Sequence, residues 1–313
     1  MQQSPKSRAH LLALSAALFW SFSFVCIKEI QDQLLLQGAT SWEAGLGFFQ
    51  IRMLITLLAF IPNIWSGKST LSAFTKRDWI QVLFLSAMMG FGYHLPLNLG
   101  AQHIPTGFVS LIVALGPVFA AVLAYFFLKE RLGILRALGV LLGMIGIGIC
   151  LSAQGKLKIQ HQLVNQHLLE GVGYVTLASF CGATFAVIAR SIRKEISPSL
   201  ILGLGIGGTV LFSIPFWDLR IWSLFFHLDL YGWLSLLYLT FIGTYLANVW
   251  WYRALQVLDA VQVTIYLNVT TMLALLWGAV LFREQITFLY AVGTACVFTA
   301  VILSGAKNSA NRS

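Results

Sequence analysis

Charge is scarce in this sequence, and acid is scarcest. Only 10% of the 313 residues are charged, with 20 Lys+Arg against 11 Asp+Glu, where a soluble domain carries about 25%. So few charges cannot coat a water-facing globule of 34.6 kDa, which excludes an ordinary soluble protein. No acid lies deep in an apolar run, so there are no paired intramembrane aspartates and no buried carboxylate to carry protons. The four cysteines (Cys26, Cys150, Cys181, Cys296) sit in or beside apolar runs without CxxC spacing. They read as reduced, packed thiols, neither disulfides nor metal ligands. HExxH, GxSxG, Walker and DxD patterns are missing. Rings of Asp, Glu, His or Met that would suit a metal channel are missing too. These absences point away from an enzyme and imply no cofactor and no metal. An ATP-driven pump would need a nucleotide domain, for which the chain has no room.

What is present is apolar. Hydrophobic residues make up 58% of the chain, with 23 Phe, 10 Trp and 9 Tyr, and the mean hydropathy is +0.81. That aromatic content excludes disorder, and the remaining class is an all-α integral membrane protein. The net charge of +9 would suit nucleic acid only if clustered on one face. The basic residues are scattered in short loops, so the expected partners are the lipid bilayer and a small molecule, with no nucleic acid.

A bilayer core needs about 20 apolar residues per helix. Ten runs qualify as candidates: 11–28, 45–64, 80–99, 106–127, 133–152, 172–190, 198–216, 232–252, 259–281 and 287–304. The first is too long for a signal peptide, and no small-residue cleavage site follows it. With the N-terminus inside, fourteen of the twenty basic residues fall in cytoplasmic segments, five fall outside, and Arg52 lies within helix 2. The positive-inside rule then predicts a multi-pass protein of the cytoplasmic (inner) membrane with both termini cytoplasmic.

Five helices per half require any repeat to be inverted. A repeat is legible. FFLKERLGILRALG matches VLFREQITFLYAVG, aligning Lys129-Glu130 with Arg283-Glu284 and Gly139 with Gly293 at an offset of 154. Gly90 aligns with Gly243 at 153, and Phe24 with Phe185 at 161. The polar connector after Ala153 divides the halves. The expected division is residues 1–155 as the first five-helix repeat, 168–306 as the second, inverted one, and 307–313 as a short cytoplasmic tail.

Several local patterns then carry a resemblance. Helix 1 reads ALSAALFWSFSF, an Arg sits inside helix 2 (QIRMLITLLAF), and helix 4 reads SLIVALGPVFAAVLAYFFLKERL. With the two five-helix halves, the chain resembles the drug/metabolite transporter superfamily, EamA type, over about residues 10–305. The second half has Thr271 where the first has Pro117, and no Arg matches Arg52. The resemblance implies a secondary transporter working by alternating access. It also implies a cargo of small metabolites, amino acids or related compounds, with export favoured. A lipid-handling flippase subunit or a non-transporting receptor of the same fold is the alternative.

The candidate substrate-binding residues are polar or aromatic groups on apolar helices. Arg52 lies on the order of 10 Å below the helix 2 start by helical rise, where a charge costs at least ~2.5 kcal/mol. It either attracts a substrate carboxylate or phosphate, or ties neighbouring helix carbonyls together. On helix 3, His94 and Asn98 share a face at i, i+4 beside Tyr93. They bind substrate, relay protons or bond between helices, and Pro96 between them predicts a local bend. Helix 8 presents Thr240, Thr244 and Asn248 on one stripe, with Trp251 one turn on, and helix 9 presents Thr264, Asn268 and Thr271. Two such stripes predict a wet cavity between helices 1, 3, 4, 6, 8 and 9, though interhelical packing uses the same residues. Ser110 on helix 4 and Trp20 on helix 1 complete the set. Gly139/Gly143 form a GxxxG pair that serves packing within the chain or a homodimer face. Glu130 and Glu284 read as helix caps or partners of adjacent arginines rather than as substrate ligands.

Overall fold

The computed structural model describes residues 5–128, 134–157, 164–189, 196–258 and 260–304. These are helical throughout, with no strand among the described residues. Each of the ten predicted apolar runs falls on a helix. The helices are α1 (Pro5–Leu36), α2 (Ser41–Ser66), α3 (Lys76–Ala101) and α4 in two pieces (Thr106–Val113 and Gly116–Leu128). They continue as α5 (Ile134–Leu157), α6 (Val164–Ala189), α7 (Pro198–Ser213), α8 (230–255), α9 (Ala260–Leu281) and α10 (Phe288–Ser304). Six of them, α1, α2, α3, α6, α7 and α8, are long and apolar enough to cross a bilayer, and four shorter apolar helices accompany them. Large apolar side chains face outward, among them Phe126, Met144, Met272, Val280 and Ile302, each more than 60% exposed. A water-facing surface does not carry them in such density.

The helix ends follow from local chemistry. Thr40 and Glu43 form a capping box at α2, as do Thr75 and Asp78 at α3, each satisfying backbone donors that the first turn leaves free. Asp229 caps α8 by accepting from the Gly232 N–H at 2.8 Å. Helix α1 runs well past the apolar stretch that ends near Lys28. Nothing breaks it until Gly38, whose φ of 88° suits only glycine. Its last turns thereby carry Lys28 and Asp32, paired at 3.9 Å, beyond the apolar stretch.

Two helices depart from regular α geometry in matching places. Ser86–His94 in α3 and Tyr238–Leu246 in α8 are π-helical segments of nine residues each. The second begins 152 positions after the first (238 against 86). In α3 the cause is Pro96, which has no N–H and whose ring excludes the carbonyl four residues back. The bend predicted there is a widened turn. In α8 the Thr244 hydroxyl reaches back to the Leu239 carbonyl at 2.7 Å, a side chain inserted into the ladder. Helix α4 breaks at Ala114–Leu115, immediately before Gly116-Pro117, while α9 passes Thr271 unbroken. That asymmetry follows from the proline present in only one half.

Cross-packing binds the halves. Helix α1 lies on α8 and α9, α6 lies on α3 and α4, α3 meets α7, and α2 meets α8. Helices α2 and α7 pack together, as do α5 and α10. Exchanging each helix for the one five places on leaves this set of pairings unchanged. The α5–α10 contact is backbone-close: a methyl on Gly146 would meet the Gly293 carbonyl at 2.9 Å. Gly143 faces Leu115 and Ala300, so this small-residue face is used within the chain.

Candidate functional site

Arg52 is 4% exposed. Its Nε and Nη2 both donate to one oxygen, Thr244 Oγ1, at 3.2 and 2.8 Å. The Thr244 hydroxyl donates its own hydrogen bond to the Leu239 carbonyl. The guanidinium carbon stands 6.0 Å from the Phe48 ring centre. Nη1 is buried and has no hydrogen-bond partner among the described residues. The ionisable groups in electrostatic reach of Arg52 are Tyr93, Cys26 and His94, and none of these is an acid at neutral pH.

Thr244 opens onto a cavity. Its wall includes His94 and Gly90 from α3, Thr209 and Gly205 from α7, and Asn248 from α8, with Phe60 and Phe185 closing the sides. The cavity volume is only about 30 Å³. The state described is therefore constricted. Asn248 Nδ2 donates to the Thr244 carbonyl at 2.7 Å, so its amide also marks the π segment. His94 is 8% exposed and stands edge-on to Tyr93, ring centres 5.0 Å apart. His94 Nδ1 is buried without a partner among the described residues.

The cavity lies between α2, α3, α6, α7 and α8, displaced from the expected space between helices 1, 3, 4, 6, 8 and 9. Helix α7 makes the difference. An added methyl at Gly205 would meet nothing within 4 Å, so this face leaves room where a larger side chain would fill it. His94, Thr244 and Asn248 come together on its wall, and Arg52 stands behind that wall, bonded to Thr244. The other predicted residues do not line it. Trp20 donates Nε1–H to the Gly243 carbonyl at 2.9 Å and packs on Trp251, ring centres 5.0 Å apart. Both thus brace the back of the α8 π segment. Asn98 is fully buried, and its carbonyl accepts from Gln31 Nε2 at 2.5 Å. Ser110 donates to Gly107 O, and its own carbonyl accepts from Thr271 Oγ1 at 3.4 Å. Asn268 is half-buried with Oδ1 unpartnered among the described residues. The Thr264 side chain lies outside the described residues, as does Glu130. Of the α8 stripe, Thr240 turns inward and bonds its own helix at Leu236 O.

Comparison with known proteins decides the class. The EamA-like transporter family pattern matches residues 7–152 and again 169–306. The chain belongs to the EamA-like transporter family. An "Uncharacterized transporter" of Archaeoglobus fulgidus is 24% identical over 299 residues, covering 94% of this chain and 96% of that one. "Uncharacterized transporter YoaV" of Bacillus subtilis is 24% identical over 306 residues, covering 93% and 94%. A solved crystal structure superposes with a TM-score of 0.57 at 16% identity, covering 95% of this chain and 96% of that chain, a likeness of fold. This EamA-like protein is accordingly a multi-pass membrane transporter for a small molecule, with the two-repeat fold of its family, and not an enzyme.

Three features of the EamA-like chain escape sequence reading. Gln31, fully buried and holding Asn98, sits past the end of the apolar run that marked helix 1. Thr209 donates to Ser86 O at 3.0 Å, tying α7 to the start of the α3 π segment, and a lone Thr among glycines carries no signal of that. The third is the target of Glu284, whose role as a cap was expected. Its two oxygens accept the Thr106 and Gly107 N–H groups at 2.6 and 3.1 Å. It thus caps α4, in the other half, where Pro105 offers no side-chain cap. The adjacent Arg283, at φ 53°, supplies the turn that aims it.

Proposed function

We propose that the protein is a secondary transporter that moves small zwitterionic or anionic metabolites, amino acids or related compounds, outward across the cytoplasmic membrane by alternating access. The two repeats, 1–155 and 168–306, rock about the cavity so that it faces each side in turn. Both termini lie in the cytoplasm, as the distribution of basic residues favours. Arg52, Thr244, Asn248 and His94 contact the substrate. Trp20, Trp251, Tyr93 and Asn98 position the elements that carry those groups, and Ser110, Thr264 and Asn268 line the pathway along α4 and α9.

One observation carries the reading: a buried cation from α2 is bonded, across the two halves, to an α8 hydroxyl that lines a cavity. An intramembrane charge at a repeat interface is a functional position by its energetic cost. The test is counterflow of labelled amino acids and of their deaminated relatives into proteoliposomes. Uptake that is lost in Arg52→Ala and in Asn268→Ala, with protein yield preserved, is the expected result. Unchanged transport in both variants would remove these residues from the site.

A further inference from the structure

The unusual element of the site is the way Arg52 is satisfied. A guanidinium presents its Nε and Nη2 hydrogens as a parallel pair, spaced for the two oxygens of a carboxylate. Here a single neutral oxygen, Thr244 Oγ1, accepts both. The third nitrogen has no partner among the described residues. Among the described residues, no carboxylate stands within electrostatic reach of Arg52 or lines the cavity. A buried cation without a counter-ion is strongly disfavoured, so the resting arrangement leaves the charge to be neutralised by something that arrives.

From this we infer that the substrate is a monoanion of amino-acid size that lacks a neighbouring ammonium. Its carboxylate replaces Thr244 at the Arg52 fork, and its apolar body lies against Phe60, Met89, Phe185 and Leu202. The inference rests on the transporter reading and narrows its cargo. An α-ammonium would sit within a few ångströms of Arg52, with no acid among the described residues of the cavity wall to receive it, and would be repelled. Deaminated or N-acylated relatives of amino acids fit, and free amines do not.

The test uses the purified full-length protein in detergent and four probes: 3-phenylpropionate, its amide and phenylalanine, which share one carbon skeleton, and phenethylamine, which lacks the carboxyl carbon. Thermal stabilisation at neutral pH gives apparent affinities. The acid binds on the order of 30-fold more tightly than the amide, the expected effect of one desolvated charge pair. Phenylalanine binds more weakly than the acid, and phenethylamine gives no shift. Arg52→Gln abolishes the preference for acid over amide. Thr244→Val, which removes the competing oxygen, tightens acid binding, and it decides the matter if Arg52→Gln does not fold. The inference is overturned if phenylalanine or phenethylamine matches the acid. It is also overturned if the acid gives no shift, if Arg52→Gln keeps the preference, or if Thr244→Val weakens acid binding. Counterflow of labelled 3-phenylpropionate separates the two readings. Binding without flux refutes transport and leaves the substrate class standing, whereas flux of phenylalanine in preference to the acid does the reverse.

Discussion

Removing the Glu284 carboxylate should loosen one end of the molecule. It accepts two backbone N–H groups of α4 from across the repeat boundary, and Pro105 supplies no substitute. Loss of a helix N-cap costs about 0.5–2 kcal/mol. Charged acceptors lie toward the top of that range, but Glu284 is half-buried, so solvent reduces the value. We take about 1–2 kcal/mol against the closed arrangement, which is roughly a 5- to 30-fold gain for any state in which Thr106 leaves the 283–285 turn. The assay is the alkylation rate of a cysteine at Ile104, by a membrane-impermeant maleimide, in a chain whose four native cysteines are replaced. Glu284→Ala should raise the rate by that factor, and Glu284→Gln, which keeps one acceptor oxygen, by less. Gly278→Ala offers an independent route. A methyl there overlaps the Glu284 carboxylate and displaces it without deleting the charge, so it should reproduce the Glu284→Ala rate. If Glu284→Ala and Gly278→Ala both leave labelling at the parent rate, the cap does not hold this end closed.

Further outcomes follow from the same packing. Gly90→Ala drives a methyl into the Thr209 side chain, and overpacking of this kind costs about 1–3 kcal/mol, read as a lower Tm in detergent. Trp20→Phe deletes the bond to the Gly243 carbonyl but keeps a ring against Trp251, so the loss in a denaturation assay should be about 0.5–1.5 kcal/mol; a loss above that would mean the indole does more than brace α8. At the α8 cap, the Gly232 N–H, with the Gln33 amide second, holds the exposed Asp229 carboxyl below its ordinary pKa of 3.8. A depressed folded pKa gives stability that is present above the unfolded value and is lost as pH falls through the folded one. The parent should therefore lose Tm more steeply than Asp229→Asn as pH falls below about 4, and equal slopes would show that this cap does not titrate.

The helices were legible because a bilayer imposes a length and a composition on each. Arg52 was legible because a charge is conspicuous among QIRMLITLLAF. Its partner was not. Thr244 stood out as one of three residues on a stripe, but nothing in the sequence distinguishes the Thr that meets an arginine 192 positions away from Thr240, which bonds its own helix. The cavity moved for a related reason. Polar stripes on helices 8 and 9 were conspicuous, whereas space created by the absence of side chains, as at Gly205, leaves no polar trace. Capping by Glu284 was foreseen as a role, but its target lies in the opposite half and follows from tertiary packing alone.

The paired π segments bear on how such a chain could move. A π turn holds one more residue than an α turn over the same rise. Moving that extra residue along the helix turns the stretch it passes by about 100° and shifts it about 1.5 Å, while few hydrogen bonds are open at any moment. Thr244 and Gly243 lie inside one such segment and Gly90 and His94 inside the other, so both walls of the cavity are mounted on stretches that can re-thread. A carboxylate that takes Arg52 from Thr244 also frees the hydroxyl that wedges the α8 turn. Occupancy of the site would then be written directly into the rotational phase of a helix, with a matching dislocation in the other repeat available to reverse it.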